Sequence, residues 1–168
     1  VRVTVDVDTL VNKNITHQYC LVNGKEKYDA LVSFLEAHTE GRGIVFCKTR
    51  AGVQNMTEYL VEDEISVGGL EGEMGQRDRD KVMRAFKKGN TRILVATDVA
   101  ARGIDVKDLA FVIHYQLPEQ LAYYTHRSGR TARAGKKGIS LAFVTATELG
   151  RLREIETDLH IKATQIRV

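Results

Sequence analysis

His126-Arg127-Ser128-Gly129-Arg130-Thr131-Ala132-Arg133-Ala134-Gly135 is the stretch around which the rest of the chain is organised. Its three arginines recur at every third residue, so in a helical conformation they drift slowly around the axis and share one side. Each guanidinium carries a permanent charge and a rigid fork of donors that matches phosphate oxygens. The spacing indicates a site that grips a polyphosphate or stabilises the charge of a departing phosphoryl group. A solvated basic helix end is the alternative that this stretch alone leaves open.

Outward from this stretch, short apolar runs alternate with segments of helical periodicity along the chain. The run 44–47 is typical of a strand covered on both faces, whereas apolar residues in 25–38 recur at helical spacing. We expect strands at residues 15–22, 44–47, 65–69, 93–96, 111–113 and 139–144, and helices at 25–38, 53–60, 76–88, from Pro118 into the arginine stretch, and at 147–159. This alternation predicts an α/β fold with a parallel sheet and helices on both faces.

Several polar or small residues directly follow strand candidates, namely Thr49, Gly72, Thr97 and Asp98. In folds of this type, ligands collect at the carboxyl ends of the strands. We therefore expect these residues and the arginine stretch to lie along one rim of the sheet. For Asp98 and Asp105 taken alone, turn and cap residues after a strand are the simpler interpretation.

The arginine stretch resembles motif VI of the DEAD-box RNA helicases of superfamily 2, and three further motifs accompany it. Residues 96–105 resemble motif V, residues 44–50 resemble motif IV, and Gly72 with Gln76-x-x-Arg79 resembles the motif that follows. Four motifs in this order and spacing cover almost the whole chain. The resemblance implies that residues 14–168 form the C-terminal, second RecA-like domain of a helicase core, with residues 1–13 as a linker or edge extension.

The resemblance also implies a set of ATP ligands. By position, Arg130 and Arg133 are the two arginine fingers that reach the ATP phosphates. Asp105 accepts hydrogen bonds from the ribose hydroxyls, and Gly103 leaves room for the nucleotide.

The chain lacks a Gly-x-x-x-x-Gly-Lys-[Ser/Thr] phosphate loop and an Asp-Glu-Ala-Asp stretch. This matches the family, in which the N-terminal RecA-like domain holds most of the ATP and its Mg²⁺ and the second domain closes over them. We expect that domain as a partner and expect this chain alone to be inactive. The resemblance implies that His126, which counts with the fingers as catalytic, contacts the partner's acidic magnesium-binding motif, and that Arg102 helps to couple the two halves. No metal ligand is assigned to the chain itself.

The resemblance further implies a groove for the RNA sugar-phosphate backbone. Hydroxyl, glycine amide, carboxamide and guanidinium groups suit phosphates and 2′-hydroxyls and do not read bases. The expected RNA-binding residues are Thr49, Arg50, Gly72, Gln76, Arg79 and Thr97. RNA binding of this kind is independent of sequence and strongly dependent on salt.

Four positions depart from the usual family pattern: Glu71, Gln116, Ser128 and Ala132. None of them removes an expected phosphate ligand. Two other functions stay open. A RecA-like RNA-binding module without a catalytic partner has no need of Arg130 and Arg133. A superfamily 2 translocase on DNA or double-stranded RNA usually begins motif VI with glutamine instead of His126.

Composition sets the remaining limits. A chain of 168 residues with 43% hydrophobic residues and a net charge of +3 predicts one globular domain that can bind nucleic acid through a local patch. No apolar run approaches the ~20 residues that cross a bilayer, so no membrane contact is expected. Cys20 and Cys47 are expected to be small buried core residues in a reducing compartment. We expect a monomeric, cytoplasmic domain.

Overall fold

The computed structural model describes residues 14–132 and 136–168. Their strands are β1 (Ile15–Leu21), β2 (Gly43–Phe46), β3 (Val67–Leu70), β4 (Ile93–Ala96), β5 (Phe111–His114), β6 (Gly138–Val144) and β7 (Thr164–Gln165). Their α-helices are α1 (Lys27–Ala37), α2 (Arg50–Glu62), α3 (Gln76–Lys87), α4 (Asp98–Ala101), α5 (Leu121–Ser128) and α6 (Leu149–Leu159), and a 3₁₀ turn spans Ala146–Glu148. The strands form a sheet in the order β3-β4-β2-β5-β6-β1-β7, and every pair is parallel.

The central strands β2, β4 and β5 are buried throughout their length. Successive side chains point to opposite faces. Ile44 therefore joins the core beneath α3 and α4, while Val45 joins the core beneath α1 and α2. Helices cover both faces, which explains why these strands read as unbroken apolar runs. The predicted α/β, RecA-like architecture is confirmed.

The carboxyl ends of the central strands align at one rim. Phe46 at the end of β2 is in register with Ala96 of β4 on one side and with His114 of β5 on the other. Two helices begin at this rim with threonine caps. Thr49 Oγ1 accepts from the Gly52 amide at 3.0 Å, and Thr97 Oγ1 accepts from the Ala100 amide at 3.2 Å. Side-chain caps of this kind fix the direction in which the helix leaves the strand.

The structure corrects some expected boundaries. The helix expected from Pro118 begins at Leu121, because Gln120 has an extended backbone and is the N-cap. The capping box of Thr145 and Glu148 is present, but it opens a 3₁₀ turn before α6. The linker expected at residues 1–13 and the arginine finger expected at Arg133 lie outside the described residues. Cys20 and Cys47 are buried, as expected. Among the described residues, no helix combines the length and apolarity needed to cross a bilayer.

Candidate functional site

Two adjoining clefts open at the rim of the sheet. The arginine cleft has a volume of about 410 Å³ and is lined by Phe46, Asp98, Ala101, Arg102, Gly103, Tyr123, His126, Arg127 and Arg130. The threonine cleft has a volume of about 300 Å³ and is lined by Lys48, Thr49, Thr97, Asp98, Val99, Leu117, Pro118, Glu119, Gln120, Tyr123 and Arg127. Asp98, Tyr123 and Arg127 line both clefts and form the wall between them.

The shared wall is a buried ion pair. Arg127 Nε and Nη2 donate to the two carboxylate oxygens of Asp98 at 2.6 and 2.7 Å. The Arg127 side chain is 2% exposed and that of Asp98 is 17% exposed. Arg127 Nη1 also donates to the Gln116 carbonyl at 2.9 Å, and the guanidinium lies 5.0 Å from the centre of the Phe46 ring. A bidentate pair with a further acceptor fixes the guanidinium plane, so α5 is tied to α4 in one orientation.

A chain of hydrogen bonds runs from Arg127 into the core through His114 and Ser140. Arginine can only donate, so His114 Nδ1, which lies 3.2 Å from Arg127 Nη1, is the acceptor. The imidazole proton then sits on Nε2 and is donated to Ser140 Oγ at 2.8 Å. Ser140 Oγ lies 2.9 Å from Ser128 Oγ. The serine at position 128, where the family usually has an aliphatic residue, is therefore satisfied inside the core.

The shifted pKa values of His114 and Tyr124 agree with a neutral His114 imidazole that carries its proton on Nε2. Burial, the Arg127 guanidinium and His17 together hold the pKa of His114 well below its ordinary value of 6.5, so the imidazole is neutral. The Tyr124 ring stacks on His114 with centroids 4.6 Å apart and planes inclined by 4°. Burial raises the pKa of Tyr124 to about 12, and its hydroxyl lies 2.8 Å from His17 Nδ1. The network thus links β1, β5, β6 and α5 behind the Asp98–Arg127 pair.

Arg130 lines the mouth of the arginine cleft and binds backbone. Its Nη1 donates to the Ile104 carbonyl at 2.7 Å and its Nη2 to the Ala101 carbonyl at 3.0 Å. Between these carbonyls, Gly103 has φ +81°, a left-handed conformation that favours glycine. Asp105 follows on the same loop, is exposed, and lies 3.7 Å from Lys107 Nζ. Arg130 therefore sets the position of the loop that carries both proposed nucleotide contacts.

The arginines do not share one helix, contrary to the expectation from their spacing. α5 ends at Ser128, so Arg127 lies in its last turn and Arg130 follows it. Both still line the arginine cleft. His126 is exposed at that cleft, and Arg102 Nη2 donates to the Tyr123 hydroxyl at 3.3 Å. The cleft therefore presents positive side chains from two segments of the chain.

The six expected RNA-binding residues fall into three pairs with different surroundings. Thr49 and Thr97 line the threonine cleft, while Gly72 and Gln76 are exposed between β3 and the first turn of α3. The two arginines are engaged within the protein. Arg50 pairs with Glu73 in the loop after Gly72, and Arg79 Nη2 donates to the Ala100 carbonyl at 2.5 Å. The bond from Arg79 fastens α3 to α4. RNA contact by these six residues stays a prediction.

Sequence reasoning gave no role to Gln116, which links the two clefts. Its Oε1 accepts from the Lys48 amide at 2.6 Å, while its carbonyl accepts from Arg127. The structural part of Arg127 was missed as well. A signal for it exists, because Tyr124, Arg127 and Ser128 are spaced i, i+3 and i+4 and so share one face of α5. No such signal identifies Gln116, since its partner is 68 residues away.

A larger cavity than these two clefts lies elsewhere. Its volume is about 640 Å³, and it opens at the amino-terminal edge of the sheet near Thr16, Gly41, Phe111 and Gly138. Its lining is mostly apolar and includes no residue of the two rim clefts. The convergent charged groups lie at the opposite rim, which is also where a parallel sheet binds ligands, so we place the functional site there. In the described part of the chain, no cluster of three or more His, Cys, Asp or Glu residues could hold a metal ion.

Comparison with known proteins identifies the domain. The profile described as "Helicase conserved C-terminal domain" matches residues 26–135, more than half of the chain. A DEAD box protein from the hyperthermophile Methanococcus jannaschii has the same fold, with a TM-score of 0.88 and 41% sequence identity over 94% of this chain and 43% of that one. The chain belongs to the DEAD-box family of superfamily 2 helicases and is a C-terminal helicase domain.

Two further relatives bear on what a DEAD-box domain of this kind does. The ATP-dependent RNA helicase eIF4A of Kluyveromyces lactis is 39% identical over 157 residues, which are 93% of this chain and 40% of that protein. The structure of Saccharomyces cerevisiae Dbp5 bound to RNA and ADP BeF3 matches with a TM-score of 0.84 and 30% identity, over 91% of this chain and 41% of that one. The DEAD-box domain described here thus spans about 40% of the length of the curated relatives that it matches.

Proposed function

We propose that this DEAD-box domain closes over ATP held mainly by the N-terminal RecA-like domain of the same protein. It supplies the arginine fingers Arg130 and Arg133, and it forms half of a groove for the RNA backbone. ATP hydrolysis is thereby coupled to the unwinding of RNA duplexes or the remodelling of RNA–protein complexes. The full-length protein is then an RNA-stimulated ATPase.

One observation carries the nucleotide part of this proposal. Arg130 stands at the mouth of a cationic cleft and holds, through two carbonyls, the loop that bears Gly103 and Asp105. Behind it, the Asp98–Arg127 pair gives α5 a fixed base. Arginine fingers act by stabilising charge that spreads over phosphoryl oxygens in the transition state, and this requires a positioned guanidinium fork.

The described residues fit part of the ATP molecule and do not by themselves fit Mg²⁺, which agrees with a site shared between two domains. The arginine cleft offers cations and a glycine loop to phosphates and ribose. The acidic ligands that Mg²⁺ needs are assigned to the N-terminal domain, opposite His126. When bound there, Mg²⁺ neutralises charge on the phosphate oxygens. The residues of this chain orient the nucleotide and complete the closed site.

The RNA part rests on the joining of the two clefts. The threonine cleft presents the hydroxyls of the two cap residues, and it shares its wall with the arginine cleft. Gln116 connects Lys48 of the threonine cleft to Arg127 of the shared wall, because its side chain accepts from the Lys48 amide and its carbonyl accepts from Arg127. A contact to RNA at one cleft can therefore affect charge placement in the other. The structure of Dbp5 bound to RNA and ADP BeF3 supports the proposal that a domain of this kind belongs to a protein that binds both RNA and a nucleotide.

The proposal is tested by ATP hydrolysis in the full-length protein and in the 168-residue chain. We expect hydrolysis by the full-length protein to rise on addition of single-stranded RNA and to rise far less with DNA of the same sequence. The chain alone is expected to show no RNA-stimulated turnover, because it lacks a phosphate loop.

The alternatives give different results in the same assay. Equal stimulation by DNA identifies a DNA translocase. RNA binding without any hydrolysis by the full-length protein identifies an RNA-binding module. Turnover by the chain alone, in a preparation free of other ATPases, contradicts the division of labour between the two domains.

A further inference from the structure

Helix α3 and its C-cap residue Lys88 present a line of four exposed cations: Arg77, Lys81, Arg84 and Lys88. At 3.6 residues per turn, these positions lie within an arc of about 60° on the helix circumference. Phe86, the buried residue of α3, lies on the opposite side. The line extends over about 16 Å at 1.5 Å per residue. We call these four residues the α3 stripe.

The stripe itself contains no acidic residue. The two acidic residues, Asp78 and Asp80, lie on the flanks of the stripe in the first turns, and Asp80 accepts from Gln76 Nε2 at 2.7 Å. Among the described residues, no carboxylate forms an ion pair with any member of the stripe. Some other exposed cations are paired, such as Lys48 with Glu119 and Arg153 with Glu156. Within the stripe, the i, i+4 neighbours Arg77–Lys81 and Arg84–Lys88 have the same charge, an arrangement that costs stability in an isolated helix and favours binding of an anion.

The stripe begins on the same helical turn as part of the RNA groove proposed above, although Arg79 faces the core side of α3 with Phe86. Gln76 and Arg79, two of the expected RNA contacts, belong to the first turn of the same helix, and Gly72 precedes it. Because α3 connects the carboxyl end of β3 to the start of β4, it runs from the rim toward the opposite edge of the sheet. A strand that leaves the rim over Gly72 therefore meets the stripe next.

We propose that the α3 stripe binds the phosphate backbone of RNA beyond the rim groove. This inference rests on the proposed function and extends its RNA path. A stacked strand presents a phosphate roughly every 3.4 Å, so the stripe spans about five phosphates. An acidic protein is a less suitable occupant, since the centre of a protein interface is depleted in charged residues and enriched in aromatic ones, and the stripe contains none of the latter.

The test compares two triple variants of the 168-residue chain. The stripe variant carries Arg77→Gln, Lys81→Gln and Arg84→Gln. The control variant carries Lys137→Gln, Lys162→Gln and Arg167→Gln, which removes the same charge from exposed positions away from α3. Fluorescence anisotropy measures the Kd for unstructured single-stranded RNAs of about 5 and about 20 nucleotides, at several salt concentrations, with equal thermal stability of the three proteins as a requirement.

We expect the stripe variant to bind the longer RNA at least about tenfold more weakly than the control, with a salt slope smaller by about 2. Binding of the shorter RNA should differ little between the variants, because the rim groove accommodates it. Equal affinity of both variants for the longer RNA would overturn this inference and leave the proposed function intact. Absence of any RNA binding by the wild-type chain would overturn the RNA part of the proposed function, and this inference with it.

Discussion

Arg127 and Arg130 are three residues apart in one motif, and their surroundings differ in kind. Arg127 is 2% exposed and is held by a carboxylate, a carbonyl and an imidazole. Arg130 is half-buried at a cleft and is held by two backbone carbonyls of a glycine-containing loop. The first arrangement fixes a helix against the sheet, whereas the second places a charge where a ligand can meet it. Of two arginines in one motif, Arg127 thus has a structural role, and Arg130 has the surroundings that its proposed role requires.

The ion pairs of the two regions differ in the same way. The Asp98–Arg127 pair is bidentate and mostly buried. The rim pairs Lys48–Glu119 and Arg50–Glu73 have side chains at least 50% exposed. Exposed pairs contribute about 0–1 kcal/mol because water and salt screen them. Rim pairs can therefore open at small cost to admit RNA phosphates, while the wall behind them stays intact.

Arg127→Ala is expected to have the largest effect on the stability of the fold. Removing one partner of a buried pair leaves an uncompensated charge, here Asp98, and costs about 3–5 kcal/mol. We expect the free energy of unfolding of the chain, measured by urea denaturation at pH 7, to fall by an amount near the lower end of that range, since Asp98 keeps some contact with water.

The matched control is Glu119→Gln, which breaks the exposed pair with Lys48. It should change the free energy of unfolding by less than about 1 kcal/mol. Comparable losses for the two variants would show that the buried wall is no more important to the fold than the rim, and would contradict the distinction drawn between them.

The buried network behind Arg127 should also make the stability of the domain depend on pH through His114. The folded state holds the pKa of His114 below 6.5, so in the unfolded state the imidazole binds a proton first as the pH falls. Stability from the neutral imidazole is complete above pH 6.5 and is lost as the pH falls below it, at up to about 1.4 kcal/mol per pH unit. The groups facing His114 are Arg127, His17, Tyr124 and Ser140, and none of them is a carboxylate.

Urea denaturation between about pH 5.5 and pH 7.5 checks this for the wild type and for His114→Asn. The variant should be less stable at pH 7 and should lose this part of the dependence on pH. His160→Asn is the control, because His160 is exposed in a left-handed conformation that asparagine tolerates. An unchanged slope in His114→Asn would place the acid sensitivity in another group.

The alternation of apolar runs and helical periodicity was sufficient to predict the sheet and most helices. Runs such as 93–96 matched the strand itself, because a parallel strand covered on both faces has no polar side and is conspicuous in the sequence. The start of α5 was misplaced because proline commonly opens a helix, and here Pro118 precedes an extended segment that lines the threonine cleft. The short α4 was not predicted, since four residues carry no periodicity.

The sequence predicted which residues line the candidate site, but it predicted their contacts only in part. Position along the chain was sufficient to bring Arg130, Gly103 and His126 to one cleft, because strand ends meet at one rim. The face that Arg127 shares with Tyr124 and Ser128 indicates its burial, but its acceptors were not predictable, since they come from α4, β5 and the segment after β5. The departure at Ser128 likewise becomes understandable only with Ser140, from a strand later in the chain.

The most direct test of the central claim, that Arg130 serves the ATP phosphates, is steady-state ATP hydrolysis by Arg130→Lys in the full-length protein with saturating RNA. Lysine keeps the charge and loses the planar fork, and fingers of this type contribute about 10³–10⁵ in rate. Arg151→Lys is the control, because Arg151 also donates to a backbone carbonyl but lies outside the arginine cleft. We predict a fall in kcat of at least about tenfold for Arg130→Lys, with a much smaller change in ATP affinity and unchanged RNA affinity. Normal turnover, or a loss confined to RNA affinity, would contradict the account and move Arg130 into the RNA path.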